Sequence, residues 1–480
     1  MIGVDQPSLP MEGALPPELQ GTLFRAGPRP AWAAAGLAGA EEAEADGADG
    51  AEGAEGADGA DGLEPAPVPS GGAGALHALE LRDGHAVSYL WHDSDADASV
   101  FWHAGSVLAL PEAGLPSQYS RLLEPEEFAG GLTLPVASHV HRVAADGGRV
   151  LFSVDDGTGG RAGAADADAA ATTATDEGVW LRIGEWDAGG ALRTAQAVEL
   201  ERATWQHDVG ITERHVVFIE SPTTRLADPR GARVPFGWVP GADGWLGVVP
   251  REGDGSGVRW FRLDPCLVTH VVGAWEEQGQ RGDVEIVLYV CCYDAPEEGQ
   301  PVDLSMSVVG PAGVGLSPIG RSLGVLERWR IVDDRLERTQ VDERHVEYPR
   351  IDALCEGLTF RYGYSVEVSW DEAGDSADEV VPTGLLKFDL RRDEPAASAT
   401  WSPGPWRRAS EPIFVRAVDG HADDEGWLLT VVDDANTGTS DLCVLDASSL
   451  GRRKPEAVIH LPVPLPFRSH GEWVPADRYR

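Results

Sequence analysis

Four of the 13 histidines stand in distinctive local settings: His139 in VASHVHR, His207 in WQHDVGITE, His270 in CLVTHVVGAWEE and His470 in PFRSHGEW. Neutral imidazole is the commonest protein ligand for transition metals. The four are 68, 63 and 200 residues apart, which excludes a local metal loop. Such spacing suits an architecture that brings one side chain from each of several sheets to a common axis. Imidazole accommodates zinc, copper, iron and nickel, so ligand type alone does not choose the metal. A closed tetrahedral zinc site would stabilise a fold but leave no position for chemistry. His77, His85 and His92 near a polar turn, His215 within a strand-like run, His421 beside acids and His460 in an apolar run read as hydrogen-bonded or solvent-facing residues. Asp208, directly after His207, reads as a turn or cap residue.

The elements that must position these side chains are strands. His207 precedes HVVFIE at His215–Glu220, a run of β-branched and aromatic residues closed by the turn dipeptide SP. Similar runs recur: RVLFSV at Arg149, VEIVLYVCCYD at Val284, VLERWRIV at Val325, GLLKFDL at Gly384, GWLLTVVDD at Gly426 and DLCVLD at Asp441. Gly, Pro and Asp turns separate them. Helical periodicity is scarce, and the best candidate is PSQYSRLLEPEEF from Pro116. The class is therefore all-β, and at this length the choice lies between a propeller and several sandwiches. No tight repeat is visible. One strand grammar runs from Leu76 to Arg480 without a linker, which favours a propeller in a single domain over 1–480.

Two segments interrupt that grammar. Residues 41–64 carry ten acids, no base and no large apolar residue except Leu63; residues 155–177 carry six acids against Arg161. Neither can bury enough surface to offset ordering entropy, so both read as disordered acidic inserts. The whole chain has a formal charge of −41 with only two lysines, Lys387 and Lys454. Such a field repels nucleic acid and anionic lipid. Five cysteines without CxxC spacing argue against a disulfide framework and point to the reducing cytoplasm. The N-terminal stretch lacks the basic and apolar regions of a secretory signal, and no apolar run approaches 18 residues.

Eight motifs in order resemble those of the carotenoid cleavage oxygenases. They are GTLFRAGPRP at Gly21, GALHALELRDG at Gly74, VLALPEAGLP at Val107, HDVGITE at His207, THVVGAWEE at Thr269, EYPRID at Glu347, SEPIFV at Ser410 and HGEWVP at His470. The resemblance implies a seven-bladed β-propeller with a small helical and loop cap over an axial iron. It implies iron ligation by His139, His207, His270 and His470, supported from behind by Glu112, Glu347 and Glu411. A carboxylate accepting the second N–H of a ligating imidazole fixes the ring and raises its basicity. In the first ligand motif SHV replaces the family's AHP, so His139 and His141 both remain open for that position. Gly273 stands where the family has asparagine.

The activity implied is that of a non-haem Fe(II) dioxygenase that uses molecular oxygen to cleave a conjugated C=C bond into two carbonyls. The substrate class is an apolar polyene or aromatic alkene. Stilbene-cleaving members place a lysine where this chain has Pro111, which offers neither an ammonium nor a backbone donor. That directs the reading to a carotenoid or apocarotenoid, with cleavage of a hydroxystilbene or phenylpropanoid as the alternative. Tyr89 or Arg142 would be the substitute donors for a phenol. A polyene-binding propeller without turnover, and a hydrolase or isomerase using the metal as a Lewis acid, are the other readings. The membrane-contacting stretch of the family is reduced here to HAVSYLWHDSDADASVFW, which implies weak or absent membrane contact.

Overall fold

The computed structural model describes residues 8–28, 74–94, 99–111, 113–127, 136–137, 139–156, 178–225, 236–279, 282–296, 322–370, 380–392, 395–465 and 470–479. Glu112 and the inserts 41–64 and 157–177 lie outside the described residues. Asp155 and Asp156 are described. Asp155 ends a strand and accepts from Arg182 Nε at 2.9 Å.

The described chain is nearly all β, and its strand pairings are antiparallel apart from one isolated parallel bridge between Thr212 and Gly357. Two short 3₁₀ turns, Ala353–Cys355 and Ala476–Tyr479, are the helical segments among the described residues. Among the described residues no helix is long and apolar enough to cross a membrane.

Sheets follow one another in chain order. The first joins Gly471–Pro475, Gly21–Pro28, Gly74–Arg82 and His85–Ser94, so a strand near the C-terminal end pairs with one near the N-terminal end. The second holds Ser99–His103, Ser106–Leu110, Ser117–Tyr119 and Pro125–Glu126. The third runs His141–Arg142, Arg149–Asp155, Val179–Trp186 and Leu192–Leu200. The fourth runs Val209–Ile211, His215–Glu220, Gly244–Pro250 and Arg259–Leu263. A seven-stranded sheet extends from Cys266–Gln278 to Ala396–Trp401, and the last sheet gathers Met11–Gly13, Ala457–His460, Thr439–Asp446 and Gly426–Asp434 with Arg407–Ala409 and Ile413–Arg416.

The core lies between these sheets. Alternation along HVVFIE shows why Val216–Ile219 are all apolar: successive side chains leave opposite faces of a strand, and both faces are covered. Val216 and Phe218 pack back on the third sheet with Val150 and Phe152, while Val217 and Ile219 pack forward on Ala274, Ile286 and Leu288. The same face-to-face packing links first to second sheet through Phe24, Leu76 and Val107, and second to third through Leu108 and Leu151. Trp275 and Tyr289 meet Leu386 and Phe388 across two halves of the seven-stranded sheet. Val366 and Leu385 meet Leu428 and Leu445 of the last sheet. Leu429 and Val444 of the last sheet then pack on Leu79 and Trp91 of the first, so the succession closes on itself.

The helical expectation at Pro116 is corrected. Ser117–Tyr119 and Pro125–Glu126 are paired strands, joined by a turn in which Leu123 takes φ 59°. Pro125 has no N–H to give and disfavours the helical conformation of Glu124, while Tyr119 is drawn into the core between the first two sheets.

Candidate metal centre

Each histidine of the set reaches the centre from a different sheet or its approach. His139 follows the short strand Val136–Ala137, which pairs with Ala113–Gly114. His207 ends a loop anchored by Thr204 Oγ1, which donates to the Ser221 carbonyl at 2.8 Å, and the strand Val209–Ile211 starts two residues later. His270 lies inside Cys266–Gln278, where the register shifts between Val268 and His270 and again between Val271 and Gly273. Bulges of this kind re-aim a side chain beside functional sites. His470 directly precedes Gly471–Pro475.

Ligand atoms of His139, His207, His270 and His470 all lie within 4.8 Å of one another. His139 Nε2 and His207 Nε2 approach to 3.2 Å, and His270 Nε2 and His470 Nε2 to 3.3 Å. His141, the other candidate in its motif, is turned away: its Nε2 meets Asp208 Oδ1 at 2.8 Å. Asp208 also accepts from Val209 N at 2.8 Å and, through its other oxygen, from Val271 N at 2.7 Å. It therefore does more than cap a turn, because it ties the His207 loop to the strand that carries His270. Burial pushes its pKa up, but His141 together with the Val271 N–H and His270 holds it below the usual carboxylate range.

Glu347 accepts from His270 Nδ1 at 2.5 Å and Glu411 from His470 Nδ1 at 2.6 Å. Both carboxylates are buried, which opposes ionisation. His270 nevertheless holds Glu347 below the usual range, and Arg350 with His470 holds Glu411 far below it. Desolvation, reinforced by the other histidines, pushes the pKa of His139 well below the ordinary imidazole value.

These contacts test whether a cation fits. With Nδ1–H committed to a carboxylate, the neutral rings of His270 and His470 each present an Nε2 lone pair, and two lone pairs 3.3 Å apart repel. A metal ion between them turns that repulsion into ligation, so the donor set fits a metal site of neutral imidazoles.

Several residues of the site were not singled out by sequence reasoning. Thr269 Oγ1 donates to Glu347 Oε1 at 2.8 Å, and the Tyr293 hydroxyl donates to the same oxygen. Arg350 Nε donates to Glu411 Oε1 at 2.6 Å. The Tyr348 ring lies 5.2 Å from that of His270 and 5.1 Å from that of His470, on a backbone with φ 52°. A bulky residue there is an outlier that the surroundings must enforce. Thr269, Tyr348 and Arg350 lie within the motifs already quoted; Tyr293 had no such signal. Tyr89 is 1% exposed and its hydroxyl contacts His77 Nδ1 at 2.8 Å, which removes it as a substitute donor for a phenol.

A nearly all-β ring of sheets brings four imidazoles together, two of them backed by carboxylates, in an arrangement that fits a four-histidine metal site. Residues 65–475 match the family model of RPE65, the retinal pigment epithelial membrane protein. An isoeugenol monooxygenase of Pseudomonas nitroreducens is 28% identical over 395 residues, 79% of this chain and 75% of that protein. A carotenoid 9,10(9',10')-cleavage dioxygenase of Crocus sativus is 29% identical over 301 residues, 59% of this chain and 51% of that protein. The alignment thus spans about half of the Crocus enzyme. Among solved structures, cobalt-substituted Synechocystis ACO superposes with a TM-score of 0.72 at 21% identity, covering 99% of this chain and 96% of that one. The lignostilbene dioxygenase of Pseudomonas brassicacearum gives 0.72 at 21%, with 98% and 95% covered. At that identity the likeness is one of fold. The chain belongs to the RPE65 and carotenoid cleavage oxygenase family and is an oxygenase of that type.

Proposed function

We propose that the chain is a non-haem Fe(II)-dependent dioxygenase that cleaves a conjugated C=C bond of a carotenoid or apocarotenoid to two carbonyl products. His139, His207, His270 and His470 are the ligands, with Glu112, Glu347 and Glu411 as the carboxylates behind them. The observation that carries this reading is the convergence of four imidazoles with Nδ1–H of His270 and His470 already committed. When bound, Fe(II) supplies activation of molecular oxygen towards an alkene.

The chain's own residues do the rest. Glu347 and Glu411 fix two rings, and Asp208 holds the His207 loop against the His270 strand. A cavity beside the cluster is lined by Val140, Ile211, Val271 and Ile351 among apolar residues and by His141 and Glu356 among polar ones. The architecture that fits the ring of sheets is a seven-bladed propeller in a single domain over 1–480. In it the seven-stranded sheet counts as two blades and a small cap covers the axis. We place the enzyme in the cytoplasm, with at most weak membrane contact, acting on dioxygen and an apolar small molecule and not on nucleic acid.

A second reading, oxidative cleavage of a hydroxystilbene or phenylpropanoid alkene, is favoured by the isoeugenol monooxygenase relatives that span 79% of the chain. Pro111 and the committed Tyr89 hydroxyl weigh against it, because they leave Arg142 as the one remaining candidate partner for a phenolate among those considered. Mass spectrometry of products from a mixed panel of apocarotenoids and 4-hydroxyphenyl alkenes, followed by kcat/KM comparison, tests the choice. A 4-hydroxyphenyl alkene turned over more than about tenfold better than every apocarotenoid would reverse it, a difference of about 1.4 kcal/mol in transition-state stabilisation. Bound iron without dioxygen uptake on any alkene would instead favour a polyene-binding protein.

A further inference from the structure

The two carboxylates behind the buried histidines are engaged in different ways. Glu347 divides its donors between its oxygens. Oε2 receives His270 Nδ1 at 2.5 Å, with only the Tyr348 backbone N–H near it at 3.3 Å, while Oε1 takes the hydroxyls of Thr269 and Tyr293. Glu411 places two strong donors on one oxygen. Its Oε1 receives both His470 Nδ1 and Arg350 Nε at 2.6 Å, and its Oε2 takes the Gly471 N–H at 3.0 Å. Arg350 Nη2 closes the loop on the Gly471 carbonyl at 2.9 Å.

Charge sharpens the difference. Among the described residues no arginine or lysine bonds Glu347, whereas Glu411 is paired with the half-buried guanidinium of Arg350. An oxygen shared with an arginine has less electron density to offer a second donor, so it polarises that donor's N–H less. The basicity that an outer carboxylate lends to a metal-ligating imidazole falls accordingly.

We infer that Arg350 is a positioning residue that makes His470 the weaker donor of the two imidazoles backed by Glu347 and Glu411 and leaves His270 the stronger, with Tyr293 and Thr269 keeping Glu347 Oε2 free for His270. The inference rests on the metal-centre reading and adds to it an inequality between two ligands of the same chemical type.

The test uses the full chain labelled with ¹⁵N-histidine and loaded with Zn(II), a diamagnetic probe that leaves the Nδ1–H protons visible by NMR. Metal content is measured first. In the wild-type protein the His270 Nδ1–H proton should resonate downfield of that of His470, and Tyr293→Phe, which alters Glu347 alone, should move only the His270 signal and so assign the pair. Arg350→Met should move the His470 proton downfield towards the His270 position, and Arg350→Lys, which retains a cation, should hold it near its wild-type value. Equal or reversed wild-type positions overturn the inference, as does an unmoved His470 signal in a folded Arg350→Met protein. Should Arg350→Met fail to fold, the wild-type order decides alone. Absence of bound Zn(II) would instead remove the metal-centre reading and this inference with it.

Discussion

His270 and His470 are buried, lie within or directly before paired strands and are held by carboxylates, whereas His139 and His207 are half-buried and sit in connecting segments. The ring of His207 lies 4.9 Å from that of half-buried Trp205, and its loop is fixed by threonine hydroxyls. Such a division separates two tasks. One half of the centre is held by the carboxylates of Glu347 and Glu411, and the other half rides on connecting segments. A metal bound mainly by the first half can tolerate adjustment in the second.

The largest expected effect tests that division directly. His270→Ala and His470→Ala should lose stoichiometric metal and all turnover, while His139→Ala and His207→Ala should also abolish turnover but retain measurable metal affinity. Metal analysis after equilibration with graded chelator separates the pairs. Equal loss in all four variants would mean that the buried half has no privileged role.

Next in size come the carboxylates. Glu347→Gln and Glu411→Gln keep an acceptor oxygen but lose its charge, and outer partners of this type typically matter roughly 10- to 100-fold in metal affinity or activity. A Glu347→Gln protein as inactive as His270→Ala would mean that Glu347 does more than orient a ring.

What the sequence made legible follows from the range of the interactions involved. HVVFIE, VEIVLYVCCYD and GWLLTVVDD are apolar on both faces because each strand is packed between sheets, and their observed bounds match the runs. The four histidines were legible through ordered motifs. The partners that distinguish them were not, because Tyr293 meets Glu347 across 54 positions and Arg350 meets Glu411 across 61. Pairings of that range follow from strand register, which no local pattern states. The Pro116 segment misled for the reverse reason, since its local composition is helical while the core claims Tyr119.

The bulged strand of His270 gives a stability test of the preorganised half. A Cβ at Gly273 would come within 2.7 Å of Phe360 Cε1 and 3.2 Å of Ile351 Cδ1. Phe360 is buried, so Gly273→Ala should lower the melting temperature by an amount corresponding to about 1–3 kcal/mol, the usual cost of overpacking. Adding Phe360→Leu should recover part of the loss; a double variant less stable than either single one would show that the ring is not the obstacle.

A smaller effect depends on pH. Beyond the His207 strand, Glu276 accepts from Thr212 Oγ1 at 2.6 Å, from Arg214 Nε at 2.7 Å and from His215 Nδ1 at 2.9 Å. Burial opposes its ionisation, but these donors hold its pKa down to about 2 from the usual 4.5. A depressed carboxylate contributes stability that is complete above its unfolded value and lost as pH falls through the folded one. The melting-temperature gap between metal-free wild type and Glu276→Gln should therefore be constant above pH 4.5 and shrink towards pH 2. A gap independent of pH would assign the tie to packing.

The smallest expected effect is none. Residues 41–64 carry ten acids, alternate them with alanine and glycine, and offer one large apolar residue, Leu63, which is too little to drive packing against the ring of sheets. They also fall between Gly21–Pro28 and Gly74–Arg82, two strands that pair in register from Gly21 with Leu81 to Pro28 with Gly74. Shortening the connection between strands already joined by that ladder lowers loop-closure entropy only slightly, because the cost grows with the logarithm of length. Removal of residues 41–64 should accordingly leave melting temperature, metal content and turnover unchanged, with the only shift a less acidic isoelectric point. Loss of bound metal on deletion would place this segment in contact with the centre and make the half-buried pair, His139 and His207, dependent on a part of the chain that its composition assigns to solvent.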